Sequence, residues 1–462
     1  MKKFVAREKE VEKLEKIFDS DGFRFVVVYG RRRVGKSELI KHAISGRDHL
    51  YFQATTDMDF NLRRLSALMG STFYSSSQIA PYTSMAAVFE ALVHLIKERN
   101  FILVIDEVSY LAQADSSFLS VLQSFVDNDF QQCDLTLVLC SSSTSFIEDD
   151  LLGLKSPVYG RSASTIKLLP FSIAETALML TGWSCDDIAR AHALSGGIPY
   201  YLSFFASQKS LEEAVEAEFF SPGGRLLVEP RLLLSMSFRS VDLYEGILDL
   251  MAHGNNEVSV IASKSGKDKA VVSQVLSKLE DIGVVARRKP IAGVGLSRGW
   301  DIVDGSFRFF YRYVFPYESS IEYGAGEGAM RLAMDELDQF TAREMEKAFQ
   351  RFVLTHYNAP IRTIGNVEFP NRLVHRNEEM DLVAVVSSST ILFGECKWRR
   401  SPVDVDVYEQ LVERSHLAYP KLEDRRYCIL SRGGFTQALE SLADQSGGRL
   451  MLLDAEDLIR TR

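Results

Sequence analysis

Apolar residues in this chain fall into two patterns. Short unbroken runs, FVVVY at 25–29, FILVI at 101–105 and LTLVL at 135–139, have the length and continuity of strands buried on both faces. Elsewhere the spacing is helical: KSELIKHAI from Lys36, then IAETALMLTG, CDDIARAHALSGG, YYLSFFASQ and LEEAVEAEFF between Ser172 and Phe220. Strands separated by helices predict an α/β fold with a parallel sheet flanked by helices. The later helical run predicts a small lid.

SPGG at 221–224 is a turn-rich break. After a helical linker, SVDLYEGILDLMAHG, EVSVIASKSG and KDKAVVSQVLSKLEDIG read as three helices, the third with apolar residues at Val271, Val275 (or Val272), Leu276 and Leu279. Two strand-like stretches, VVARRK and GWDIV, flank PIAGVGLSR. Three helices and a hairpin in so short a span predict a winged helix-turn-helix. GSFRFFYRYVFPY reads as aromatic packing onto a neighbouring element, and FTAREMEKAFQRFVLTHY as a long helix opening a further α/β domain. That domain continues through DLVAVV, TILFGECKW, YCILSRGGF and MLLDAEDLI.

Chemistry enters at YGRRRVGKS, which places glycine, four residues and Gly35-Lys36-Ser37 directly after the first strand and at the start of a helix. Backbone N–H groups of Gly30, Arg31, Arg32, Arg33, Val34 and Gly35 then wrap a triphosphate at a helix N-terminus. Lys36 reaches the β- and γ-phosphates and the Ser37 hydroxyl ligates Mg²⁺. The FILVIDE strand ends in two carboxylates: Asp106 to hold the Mg²⁺ shell and Glu107 to polarise the attacking water. The CSSS end of the third strand offers Ser142 as a γ-phosphate sensor. The three arginines are a loop surface facing the triphosphate, a partner subunit or nucleic acid.

A second constellation lies in the last third. Thirteen residues separate Asp381 from Glu395, and Lys397 follows two positions on. Strand periodicity puts Glu395 and Lys397 on one face with Cys396 on the other, and a hairpin brings Asp381 beside them. Asp381 and Glu395 supply oxygen ligands for one or two Mg²⁺ ions, Glu346 on the preceding helix completes the shell, and Lys397 orients a water or neutralises a pentacoordinate phosphate.

At 462 residues, with 46% hydrophobic and 25% charged residues, the chain has room for about three domains. A net charge of −9 argues against a basic coat for nucleic acid. Residues 254–300 reverse that balance locally, with eight Lys/Arg against four Asp/Glu, and nominate Lys267, Lys269 and Arg287 for phosphate contacts. No apolar run approaches the ~20 residues a membrane helix needs, and the first residues lack an apolar signal segment. The five scattered cysteines read as reduced thiols, so a cytoplasmic protein without membrane contact is expected.

FVAREKEVEKLEKIF before the loop, KSPVYGRSAS at 155–164 and SGGIPYYL at 195–202 resemble motifs of AAA+ and STAND-type ATPases. In detail the chain is similar to the MNS-type archaeal and bacterial members, which carry a C-terminal nuclease-like domain of unknown function. The Asp381, Glu395, Lys397 spacing resembles the PD-(D/E)XK nucleases, whose fold is that of restriction endonucleases. The resemblance implies that Arg161 contacts a γ-phosphate, in cis or across a subunit interface, and that Gly197 and Pro199 lie near the adenine. CSSS departs from the usual glycine-serine pair. The expected domains are a P-loop ATPase core at 1–168, a helical lid and linker at 169–235, a winged helix at 236–318 and a nuclease-like domain at 325–462. The expected activity is ATP binding and hydrolysis coupled to DNA binding and Mg²⁺-dependent nucleic-acid cleavage, with homo-oligomerisation if Arg161 acts in trans. The alternative is a non-nucleolytic ATP switch whose winged helix and inactive nuclease-like domain bind DNA or a protein partner.

Overall fold

The first apolar run becomes β1 (Arg24–Tyr29), buried along almost its whole length because strands flank it on both sides. In the computed structural model the described residues are 4–461 except 98, 155, 159, 162, 289, 290, 292–298 and 372–374. The chain divides into two units, Met1–Leu169 and Pro170–Arg462. Of the sequence expectations, Lys289, Arg298, most of the stretch between the two hairpin strands and three positions of KSPVYGRSAS lie outside the described residues.

In the first unit β1 is joined by β2 (His49–Gln53), β3 (Phe101–Asp106), β4 (Leu135–Ser141) and β5 (Ser164–Lys167). All pairs are parallel, in the order β2-β3-β4-β1-β5. Every residue of β3 and β4 is buried, as continuous apolar strands covered on both faces must be. The consequence for function is positional: β1, β3 and β4 point their C-terminal ends to the same edge, so the residues following them gather there. The edge strands β2 (HLYFQ) and β5 (STIK) are short and partly exposed, and the apolar pattern did not single them out.

The second unit begins with helices Ile173–Met179, Cys185–Ser195, Pro199–Phe205 and Leu211–Phe219. Helices Asp242–Ala252, Val258–Ser265 and Lys269–Asp281 follow, then the antiparallel pair β6 (Val285–Arg287) and β7 (Trp300–Ile302). On the third of these helices Val272, Val275, Leu276 and Leu279 are buried, whereas Val271 is 37% exposed. The aromatic segment after β7 is helical, and Phe309 packs edge-on to Phe219 and Phe340.

The long helix Leu337–His356 leads into a five-stranded sheet of β8 (Thr363–Asn371), β9 (Arg376–Val385), β10 (Thr390–Lys397), β11 (Asp424–Ser431) and β12 (Leu450–Asp454). Its order is β12-β11-β10-β9-β8, antiparallel across β8, β9 and β10 and parallel across β10, β11 and β12. The two parallel steps require crossovers, supplied by helices Val405–Ala418 and Gln437–Gln445, neither of which the sequence reading assigned. Among the described residues no helix is long and apolar enough to cross a membrane.

Candidate functional sites

The loop after β1 runs from Gly30 to Gly35 and ends at the helix Lys36–Ala43. A Cβ at Gly30 would stand 2.3 Å from the Leu168 carbonyl oxygen, so only glycine fits there. Gly35 has open space around it but a φ of 94°, which glycine adopts without strain. Arg33 takes a left-handed φ of 70° without that freedom. Lys36 Nζ donates to the carbonyls of Gly30 (2.8 Å) and Arg31 (3.0 Å), which lays its stem along the inside of the loop. Val34 is buried, and Arg32 donates to the Tyr110 hydroxyl at 2.5 Å.

Asp106, at the end of β3, is 2% exposed and fully engaged. Its Oδ2 accepts from Ser37 Oγ at 2.8 Å and from the Tyr51 hydroxyl, and its Oδ1 accepts from the Glu107 backbone N–H at 3.0 Å. Burial, then the Asp106 charge, push the Tyr51 phenol far above its ordinary range and keep it a donor. Glu107 has a left-handed φ of 56°, and its Oε2 accepts from the backbone N–H and hydroxyl of Ser142, at 3.1 and 2.9 Å. Ser142 thus holds the carboxylate expected to polarise water. Ser37 Oγ with Asp106 Oδ2 is an all-oxygen pair of the kind a hard divalent cation takes, and so fits Mg²⁺.

Arg161 is bound in a fork to Asp127, Nε to Oδ1 at 2.7 Å and Nη2 to Oδ2 at 2.6 Å, and it donates to the Pro157 carbonyl. Pro199 opens the helix Pro199–Phe205 in the second unit, and Gly197, with φ 67°, packs against His192 and the Phe171 carbonyl.

In the second unit the antiparallel β9–β10 pairing places Asp381 across from Glu395 and Cys396, and Asp381 Oδ2 accepts from the Cys396 backbone N–H at 2.9 Å. Glu395 is 3% exposed. Its Oε1 receives Lys397 Nζ at 2.5 Å, and its Oε2 lies 3.3 Å from Arg414 Nη1 without forming a hydrogen bond. Burial, followed by the Glu395 charge, raises the Asp381 carboxyl well above the usual range. Glu346 is pushed up to about 8 by burial, then by Asp381 and Glu379. Among the described residues no three His, Cys, Asp or Glu side chains converge as one ligand set. Asp381, Glu395 and Glu346 thus do not form one three-carboxylate set: Glu395 is paired with Lys397 and Arg414, and Glu346 is an electrostatic neighbour of Asp381. The buried Glu395 Oε2 without a donor, next to Asp381, fits a divalent cation.

Three contributors escaped the sequence reading. Tyr51 lies on edge strand β2, and its one signal is a phenol in a short apolar strand, which needs a polar partner when buried. Arg414 sits on a helix that the pattern did not flag. Gln350, whose side chain donates to the Asp381 carbonyl at 2.7 Å, lies four residues after Glu346 on the same helix face.

Residues 4–205 match the family of ATPase domains found predominantly in Archaea. Residues 310–410 match a family of archaeal and bacterial proteins of unknown function. Over 465 aligned residues the chain is 26% identical to an uncharacterised protein of Methanocaldococcus jannaschii, covering 98% of this chain and 99% of that one. Among solved structures it is similar to the Walker-type ATPase of Pyrococcus abyssi, 20% identical with a TM-score of 0.51, covering 67% of this chain and 96% of that one. The chain carries a P-loop ATPase domain.

Proposed function

We propose that this ATPase uses ATP and Mg²⁺ to control a nucleic-acid-cleaving centre built from Asp381, Glu395 and Lys397. In the first unit Lys36 binds the β- and γ-phosphates, Ser37 and Asp106 hold Mg²⁺, and Glu107 takes a proton from the attacking water. Ser142 releases Glu107 for that role, and Arg161 reaches the γ-phosphate after leaving Asp127. Bound Mg²⁺ neutralises charge on the phosphates.

The observation that carries the second half is the meeting of three groups from two strands: Asp381 on β9 beside Glu395 and Lys397 on β10. The helix–three-strand–helix–strand order of this sheet supports a restriction-endonuclease-like reading. Phosphodiester hydrolysis there forms a bond from a water oxygen to phosphorus and breaks the bond to the leaving sugar oxygen; the water gives up one proton to solvent and the leaving oxygen takes one up. Lys397 orients the water and offsets charge on the phosphate, while Asp381 and Glu395 hold the divalent cation that lowers the pKa of that water. The three helices and β6–β7 pair read as a winged helix. The domains proposed are the core at 1–168, the lid and linker at 169–235, this module at 236–318 and the nuclease-like part at 325–462.

The test is cleavage of DNA and RNA with Mg²⁺ and with Mn²⁺, for wild type and Lys397→Ala. Loss of cleavage in the variant with ATP turnover retained supports the reading. One observation favours a rival: the pairing of Glu395 with Lys397 and Arg414 suits a domain that keeps its charges for binding. In that case ATP alters nucleic-acid affinity and no metal yields cleavage.

A further inference from the structure

We infer that the connector between the two units, residues 168–171, and the long helix Leu337–His356 carry nucleotide state to the cleaving centre. Arg351 on that helix grips the connector, and its neighbour Gln350 holds the backbone of Asp381. This inference rests on the two-centre reading above and adds the route by which one centre controls the other.

The connector has no helix or strand of its own, yet each of its residues is held through its backbone. The Leu168 N–H donates to the Tyr29 carbonyl at 2.7 Å, and the Leu168 carbonyl stands against Gly30 at the start of the phosphate loop. Arg7 donates to the Leu169 carbonyl and, at 3.4 Å, to the Val34 carbonyl of that loop. Arg7 is buried, and both it and Ala6 take left-handed φ, 70° and 60°, which costs a non-glycine residue and persists only where the surroundings impose it. In the second unit Arg351 Nη1 donates to the Pro170 carbonyl and the Phe171 N–H to the Gly197 carbonyl, both at 2.7 Å. Pro170 fixes its own φ and restricts Leu169 before it. A free connector would absorb a displacement by bond rotation; one held in this way passes it on.

Two routes run from the segment after the connector to the centre. In the first, Arg351 holds Pro170 and lies 3.6 Å from Glu175, which completes the capping box of the helix Ile173–Met179. The adjacent Gln350 donates to the Asp381 carbonyl at 2.7 Å. In the second, Arg432, directly after β11, forks onto Asp186 of the helix Cys185–Ser195 at 2.8 and 2.6 Å. Its side chain is buried, and its backbone N–H donates to the Lys397 carbonyl at 3.1 Å. Asp338, near the start of the long helix, joins the two routes by accepting from Arg432 at 2.9 Å and from Arg190 at 2.7 Å.

The sheet leaves Asp381 dependent on the helix. The register of β8 against β9 shifts between Gly365 and Val367, opposite Asp381 and Leu382, and the pairing of β9 with β10 ends at Leu382 and Gly394. Asp381 therefore sits at a bulge and past the last rung, and its carbonyl goes to Gln350. Lys397, by contrast, is still paired with Ser431 of β11, next to Arg432. A small shear of the helix over the sheet moves Asp381 relative to Lys397, which opens or closes the centre without unfolding a strand.

The experiment is hydrogen exchange of the full chain with and without a non-hydrolysable ATP analogue, beside a cleavage assay in Mg²⁺ and Mn²⁺. In wild type the analogue should change amide exchange around Asp381 and Lys397 by at least about 5-fold, the lower end of ordinary allosteric coupling. Arg351→Gln should remove the response at Asp381, and Asp186→Asn the response at Lys397, with analogue binding unchanged in both. Arg351→Lys keeps a donor for the Pro170 carbonyl and should retain the response, which separates a lost link from a lost fold. Exchange in β9 and β10 that ignores bound analogue in wild type, or a response that survives both substitutions, overturns the proposal. An exchange response without cleavage in either metal removes the nuclease reading alone. Cleavage at a rate indifferent to the analogue, with unresponsive exchange, removes the transmission alone.

Discussion

Asp106 and Asp381 are both strand carboxylates at candidate divalent-cation sites, yet their surroundings are opposite. Asp106 is surrounded by donors: two hydroxyls and a backbone N–H. Asp381 receives one backbone N–H and is crowded by Glu395, with Glu346 and Glu379 close enough to perturb one another. A carboxylate already held by donors has its oxygens fixed in place for a cation. One crowded by other carboxylates takes up a proton until a cation replaces it. The first site is thus preorganised by the protein, and the second depends on what binds to it.

The largest expected effects fall on the charged groups. Lys36→Ala should abolish nucleotide binding, read as loss of a fluorescent ATP analogue's signal, and with it any response of cleavage to ATP, while basal metal-dependent cleavage by the second unit survives. Lys397→Ala should do the reverse. If either variant abolishes both activities in a folded protein, the two sites are not the separable centres described here. Glu107→Gln should retain ATP binding and lose about 10²–10⁴-fold in turnover, the usual range for a general base. Unaltered turnover would remove Glu107 from that role.

Tyr51→Phe is a smaller change, because it deletes one donor to Asp106 and leaves Ser37 in place. Outer partners of metal ligands typically contribute about 10–100-fold in metal affinity. The variant should accordingly need about 10-fold more Mg²⁺ to tighten nucleotide binding, with metal-free binding unchanged. A Mg²⁺ titration that overlays wild type would show that Tyr51 only fills space.

The smallest effect is on stability against pH. Glu346 is pushed up to about 8 from an ordinary 4.5. A carboxyl raised by folding binds more protons in the folded chain, so its contribution to stability falls as pH rises from about 4.5 to about 8. Glu346→Gln should remove that slope, so the variant's melting temperature gains on wild type across this window without divalent cation. Parallel curves would place Glu346 in water rather than among carboxylates.

The same contrast explains what was legible beforehand. Gly30, Gly35, Lys36 and Ser37 are contiguous because a backbone loop wraps phosphate, so their spacing is dictated by chain geometry and survives in the sequence. The burial of β3 and β4 on both faces made their ends, Asp106–Glu107 and Ser142, equally readable. Tyr51 was not legible: it reaches Asp106 from an edge strand whose partner is set only by sheet order. Asp381, Glu395 and Lys397 were found through their strands, but the approach of Arg414 to Glu395 depends on a helix crossing over the sheet. Helices Val405–Ala418 and Gln437–Gln445 bury few of their residues, Val407, Leu411 and Ser415 in the first and Leu439 in the second, so neither presents a long apolar stripe. Arg161 illustrates a different limit, since its fork to Asp127 joins residues 34 positions apart that no local pattern connects.

The central claim is that one chain holds an ATP-hydrolysing centre and a separate phosphodiester-cleaving centre. Its most direct test is a single assay of purified wild type and Lys397→Ala with single-stranded DNA, Mn²⁺ or Mg²⁺ and ATP, following strand cleavage and phosphate release together. The account predicts cleavage by wild type, none by the variant, and equal phosphate release by both. Phosphate release without cleavage by wild type in either metal would contradict it.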